Sequence, residues 1–444
     1  MSSADIFVIG SAGLRTYRTQ LATISQNISN AGSENYSRRT TTVSESSMSG
    51  AHEILYLPRA SFGGSEATGI SRASDPYLDA NVRNTGSSLA NANARLQWVN
   101  DIENALSDDD LGIGTSLTRF YSSVDQLAAN PADTSLRTNV LYQLEQIVSA
   151  FHTSSDGLEI VLDGTANSAE SSVSLLNTYT SQLQDINQAL TRSQGGTSNR
   201  AQLLDNRDAV LQKISETLNV SISFGSHEEA TVTYNGVIIA SPTVAGTFAV
   251  TQNADGTLAL SLDGSAVADP TNGSLGGDFA SATTARERLD SLDALAVQFA
   301  TDINNWHRQG YTDAGATNID MLSVGTTAAS LSVSLSGIDQ IAAASASGTI
   351  NGNLVAISAA RAASDVESQW TELVTTHGNL VSTITSEQAA SEARDENARA
   401  AREEVSGVDL DMEAADLLRV QQAYQACARV IQTARDITDT ILNL

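Results

Sequence analysis

The sequence predicts a mainly α-helical protein with a small inserted antiparallel β module. Three observations carry that expectation: apolar stripes of helical period at both ends, long amphipathic stretches between them, and a change to period two after Val220. At the N-terminus Leu14, Tyr17, Leu21, Ile24 and Ile28 recur at alternating spacings of three and four. At the C-terminus Leu417, Val420, Tyr424, Cys427, Ile431, Ala434, Thr438 and Ile441 keep the same alternation. Such a repeat puts side chains on one narrow helix face, the seam of a coiled coil. Neither stripe has a partner nearby in sequence, so the economical arrangement pairs the first helix with the last. Separate docking of each amphipathic helix on a globular core is the other way to bury it. The off-seam positions are rich in Ser, Thr, Gln, Asn and Ala. Each helix is then marginal alone, since helices shorter than about 15 residues are weak in water.

Between the termini the elements follow in order. Asn27, Asn30 and Gly32 mark the exit from the first helix, as Asn and Gly tolerate left-handed backbone angles. Residues 40–75 are rich in Ser, Thr and Gly and read as irregular or weakly β, with an extended piece at 54–57. Helices are expected over 79–106 and 117–129, ending at Asn130-Pro131-Ala132-Asp133, where proline cannot continue a helix interior. Further helices are expected over 136–152, 166–193 and 200–218, with Gly195-Gly196 breaking the last two apart. Long helices joined by short breaks indicate a bundle.

Val220, Ile222 and Phe224 then alternate, and Val232 and Tyr234 lead into Asn235-Gly236, a strong hairpin signal between apolar runs. Asp255-Gly256 and Asp263-Gly264 bracket another alternating strand at Leu258, Leu260 and Leu262. Helices are expected again over 283–307, and residues 353–405 read as one or two long helices. The expected division is nested. Residues 1–39 and 406–444 form a terminal coiled-coil domain, 40–219 and 283–405 a helical-bundle domain, and 220–282 an outer β-rich insert.

Composition excludes some functions. Lys plus Arg total 24 against 51 Asp plus Glu, a net charge of −27, which argues against nucleic acid as the main partner. The same charge favours solubility and repulsion between free subunits. The single cysteine, Cys427, allows no intrachain disulfide and reads as a small buried hydrophobe on the seam. No run approaches the ~18 apolar residues of a membrane span, so no membrane insertion is expected. The first residues lack the basic and apolar regions of a cleaved signal peptide.

Catalytic and cofactor motifs are missing. There is no G-x-S-x-G or G-x-G-x-x-G, and the one lysine, Lys213, follows no glycine loop. His52, His152, His227, His307 and His377 lie far apart without metal-ligand spacing, and a structural hydrogen bond is the expected job of His307. Asp108-Asp109-Asp110 lacks the alternating ligands of a calcium loop and reads as a solvated helix-terminating turn. Asp411 is expected to cap the last helix, with Glu413 in its first turn facing the positive end of the dipole. No catalytic residue, metal or cofactor is expected.

The segment Asn27 to Ser37-Arg38-Arg39 resembles the terminal signature of bacterial flagellar axial proteins, with Asn35 standing where Gly usually precedes Tyr36. Asp125 to Pro131, Leu203 to Asp208, Ile303 to Gly310 and above all Ser406 to Leu418 are similar to blocks of the hook-associated proteins that join hook to filament. The resemblance covers both ends and several internal blocks and is weak in the β insert. It implies a structural subunit whose terminal helices form an inner coiled-coil tube, with the β-rich part facing outward. The implied partners are further copies in a helical ring, the hook protein, a second junction protein and a cytoplasmic export chaperone. The implied location is the extracellular flagellum, reached by type III export without a cleaved signal. On that view Leu14, Tyr17, Leu21, Ile24, Asn27, Ile28, Asn30, Tyr36, Leu417, Val420, Tyr424, Ile431 and Ile441 are interface or interface-shaping residues. Two alternatives stand beside it: another axial protein (second junction protein, hook or rod component, flagellin), or an enzyme carried on the scaffold in the β insert.

Overall fold

The computed structural model describes residues 3–33, 35–47 and 62–442. The chain opens with α1 (Ser3–Asn30), then a hairpin of β1 (Arg39–Ser47) and β2 (Phe62–Arg72). The hairpin is antiparallel, with Arg39 opposite Arg72 and a shift in register after Thr42. Of residues 40–75, expected as irregular or weakly β, the described parts 40–47 and 62–72 are strand; the piece at 54–57 lies outside the described residues.

The helical body follows as α2 (Pro76–Ala105), α3 (Ile113–Ala129), α4 (Thr134–Arg192) and α5 (Ser198–Thr217). Local chemistry fixes their starts. Asp75 Oδ1 accepts from the N–H of Tyr77 at 2.8 Å with Pro76 in the first turn, and Asp133 Oδ1 accepts from Ser135 N–H at 2.8 Å. Helix α4 is one continuous element of 59 residues where two were expected. The apolar period is interrupted at Gly157 and Gly164 because there a neighbour replaces the side chain: a Cβ at Gly157 would lie 2.9 Å from that of Ala105, and one at Gly164 2.8 Å from the Trp98 ring. Those glycines are contact points for α2, not breaks.

Six short strands come next: β3 (Ser221–Phe224), β4 (Ala230–Tyr234), β5 (Val237–Ala240), β6 (Phe248–Gln252), β7 (Leu258–Leu262) and β8 (Ser265–Ala266). They form two separate three-stranded antiparallel sheets, β3-β4-β5 and β6-β7-β8. Asn235 and Gly236 both take positive φ, 48° and 83°, as do Asp263 and Gly264, so each pair makes the turn its dipeptide signals. Asn187 and Asn177 on α4 each hold a sheet by its backbone, Asn187 donating to Ala230 O and Asn177 to Phe248 O.

Helix α6 (Gly273–His307) begins ten residues before the expected start, at Gly273 with φ 75°. After β9 (Leu322–Ser323), β10 (Ser332–Val333), α7 (Gly352–Val355) and α8 (Ile357–Ala363), helix α9 (Val366–Ser406) returns along α2, and α10 (Leu410–Leu442) returns to α1. One hydrophobic core joins the body to both sheets; Phe120, Phe151 and Phe299 are fully buried in it, with the Phe299 ring centroid 6.3 Å from that of Phe120 and 6.2 Å from that of Phe151. Among the described residues no helix is long and apolar enough to cross a membrane.

Candidate assembly interface

Helices α1 and α10 pack antiparallel. A Cβ at Gly10 would lie 2.7 Å from Ile431 Cγ1, one at Gly13 2.7 Å from Cys427 Sγ, and Asn27 meets Glu413 further down. That register brings Tyr17 level with Tyr424, Leu21 with Val420 and Ile24 with Leu417. Ile24 is 9% exposed and Val420 3%, whereas Leu14, Tyr17, Leu21, Ile28, Leu417 and Ile431 are only half-buried and Tyr424 is exposed. Ile441 falls beyond the start of α1 in this register, and its side chain lies outside the described residues. The closest approach depends on Gly10 and Gly13, which the apolar pattern passes over because a glycine contributes no stripe. Burial raises the Cys427 thiol pKa.

The opposite face of α1 is covered by the hairpin. Thr16 Oγ1 donates to Ser65 O at 2.8 Å, Thr41 Oγ1 to Thr23 Oγ1 at 3.0 Å, and Gly64 passes against Ile9 and Ala12. Thr16 and Thr23 are therefore buried, although off the predicted seam.

Where α1 ends, a polar lock ties three segments together. Asn27 is 1% exposed; its Nδ2 donates to Arg39 O and to Glu413 Oε2, while its Oδ1 accepts from Arg39 N–H and from Tyr36 Oη at 2.8 Å. All of its hydrogen-bonding capacity is used, which no apolar replacement of similar size could match. Asn30, by contrast, only donates back to Gln26 O in its own helix, and Gly32 does not take left-handed angles. Glu413, expected in the first turn of the last helix facing its dipole, stands there but is 1% exposed and takes Arg38 Nε at 2.7 Å. Asp409, not Asp411, caps α10, its Oδ1 accepting from the N–H of Asp411 and Met412.

The lock continues into the helical body. Asp205 on α5 lies 2.7 Å from Arg39 Nη2 and 2.8 Å from Arg72 Nε, and Asp208 lies 2.9 Å from Arg72 Nη2. Arg39 also sits 4.8 Å over the Tyr36 ring. Burial raises the Asp205 pKa even though Arg72 and Arg39 pull it down, and burial likewise raises that of Tyr36. Burial lowers the Arg72 pKa, but Asp208 and Asp205 outweigh it and hold the guanidinium charged. Arg39, Arg72 and Asp205 were absent from the candidate residues. The signal for them was a charged residue inside otherwise small, polar stretches, and only the fold shows that these charges meet.

Among the described residues no group of three or more His, Cys, Asp or Glu is placed to hold a metal. His307 is buried, with Nδ1 2.7 Å from Ile319 O and Nε2 accepting from Ala342 N–H, and burial lowers its pKa. His377 lies 2.8 Å from Val99 O and is shifted the same way by burial. His52 lies outside the described residues.

Two family models match parts of the chain. A family model for the flagellar hook-associated protein FlgK helical domain matches residues 99–322, and one for the C-terminal part of flagellar basal body rod FlgEFG proteins matches 400–444. Flagellar hook-associated protein 1 of Salmonella typhimurium is 26% identical over 329 residues, 71% of this chain and 58% of the relative. The chain thus spans less than two thirds of that relative's length. The protein of the same name from Bacillus subtilis is 22% identical over 494 aligned positions, 97% of this chain and 96% of the relative. The structure of the flagellar hook junction protein FlgK from Burkholderia pseudomallei superposes with a TM-score of 0.51 at 21% identity, over 55% of this chain and 46% of that one. At that identity the match shows the fold alone.

Proposed function

The chain belongs to the FlgK family of flagellar hook-associated proteins, and from that membership we propose that it is a subunit of the hook–filament junction, assembled through its terminal helices. That it is a structural component of the flagellum follows from the family; its place at the junction is our reading. The observation that carries the reading is the uncovered outer face of the terminal pair. Phe7 is 51% exposed, and on one face of α10 Met412 is 52%, Val430 41% and Ile437 41% exposed, although α1 and α10 are already packed together. An apolar face left open on a paired helix is completed by further copies of the same helices. In this reading the candidate residues from Leu14 to Ile28 and from Leu417 to Ile431 build the subunit's own pair, Ile441 lies beyond it, and the exposed stripe builds the tube. The hook protein and a second junction protein flank the ring, and a cytoplasmic chaperone covers the C-terminal helix before type III export. No step of this function is enzymatic.

Electron microscopy of cells lacking the gene, with flagellin assayed in the medium, tests it. Hooks without filaments and flagellin shed into the medium are the expected result. Absent hooks would move the protein into the rod or hook, and normal filaments would overturn the proposal.

A further inference from the structure

At the joint between the terminal helices and the body, a cleft of 420 Å³ opens among Arg72, Asp79, Arg83, Arg200, Arg207 and Phe224. Three of its guanidiniums are answered from within the chain. Arg72 pairs with Asp205 and Asp208, Arg207 with Asp208, and Arg200 with Glu228 at 3.0 Å. Arg83 differs: among the described residues it has no hydrogen bond or ion pair, and Asp208 and Asp79 act on it only through space. It also lines an adjoining cleft of 310 Å³ with Ser87, which is 5% exposed and whose Oγ has no partner. A half-buried cation beside a buried unpaired hydroxyl costs stability until an acceptor arrives. A carboxylate entering the cleft answers the cation.

The chain carries such a group at the other end of α2. In the turn after that helix, Asp108 Oδ1 accepts from the N–H of Gly114 and Thr115, and Asp109 Oδ1 from the N–H of Leu111. The Asp110 side chain is 99% exposed, reaching only Arg119 at 3.5 Å, and Leu111 beside it is 67% exposed. From Arg83 to the end of α2 at Ala105 the helix runs about 33 Å, so no chain can fill its own cleft with this turn.

We propose that the Asp110–Leu111 turn of one copy docks into the Arg83 cleft of the next. Asp110 takes Arg83, and Leu111 lies on the apolar wall of Ile70, Pro76 and Phe224. Two different surfaces meet, so the contact is head-to-tail and builds rings or helical rows rather than closed pairs. The inference rests on the reading of the chain as a self-assembling subunit.

The test uses the full chain with Cys427→Ser, Arg83→Cys and Asp110→Cys. Oxidation of concentrated protein, and of flagella from cells producing it, should give a ladder of covalent oligomers. Either new cysteine alone should give none. As a second arm, Asp110→Arg should weaken self-association about tenfold or more in sedimentation velocity, and adding Arg83→Glu should restore it. Filaments or oligomers without a ladder would overturn the docking proposal and leave the assembly reading intact. Failure of the unmutated chain to enter flagella at all would overturn the assembly reading, and absence of any ladder in solution would then overturn the docking as well. Dimers without a ladder would mean a two-fold contact and also overturn it.

Discussion

The helical body and the terminal pair are both made of long helices, yet they are closed by different means. In the body, Phe120, Phe151 and Phe299 are fully buried in a core that continues through both sheets. In the terminal pair most seam residues are half-buried; Val420 and Ile24 are enclosed together with the polar Asn27, Glu413, Thr16 and Thr23 and small residues such as Ala434. Apolar burial gives the body stability that needs no partner. The terminal pair holds its geometry by hydrogen bonds and close glycine contacts while its apolar outer face stays open. This division fits the proposed role of a subunit that assembles through its terminal helices.

The largest effect expected is in the body. Phe299→Ala should cost about 3–5 kcal/mol by chemical denaturation, because a fully buried ring among other rings leaves a cavity. Asp205→Ala should cost a similar ~3–5 kcal/mol, but only in the docking of the terminal segments, since it strands the buried guanidiniums of Arg39 and Arg72. Amide exchange in α1 and the hairpin should speed up while the body's unfolding midpoint stays put. A fall in both together would erase the distinction between the regions.

The third prediction sharpens the body's side of the comparison. Asp278 is buried against Trp98 Nε1 and Ser168 Oγ, and burial raises its pKa to about 6 despite both donors. Its folded pKa lies above the ordinary 3.8, so the stability it contributes is complete below that value and lost as pH rises through about 6. Asp278→Asn should therefore match the wild type near pH 3.5 and exceed it by about 3 kcal/mol at pH 7. An unchanged pH profile in thermal unfolding would contradict this. The fourth concerns the seam: Gly13→Ala should cost about 1–3 kcal/mol in terminal pairing, since the new methyl meets Cys427 Sγ at 2.7 Å. The smallest is Tyr36→Phe, about 1 kcal/mol for one lost hydrogen bond to Asn27.

How far the sequence revealed this depends on which residues carry each feature. The α1 and α10 stripes, the Asn235-Gly236 turn and the break at Pro131 are local patterns with local causes, and they are legible. Helix α4 is not legible as one element, because Gly157 and Gly164 look like breaks until Ala105 and Trp98 fill the space above them. Gly10 and Gly13 stay hidden for the same reason. Asp205, Arg39 and Arg72 are separated by 166 positions at most from one another in the lock they form, and nothing in the neighbourhood of any one announces the others. Patterns reveal what a helix does with its own face; they do not reveal which distant charge will come to meet it.

The most direct test of the division between the regions is hydrogen–deuterium exchange on the purified monomer and on the same protein in assembled flagella. In the monomer the body should be protected throughout, and α1 and α10 should exchange faster except near Asn27 and Glu413, where the lock holds them. On assembly the rest of both helices should gain protection while the body changes little. Equal protection of α1 and α10 in monomer and assembly would mean that the terminal pair is already complete, and would contradict the account.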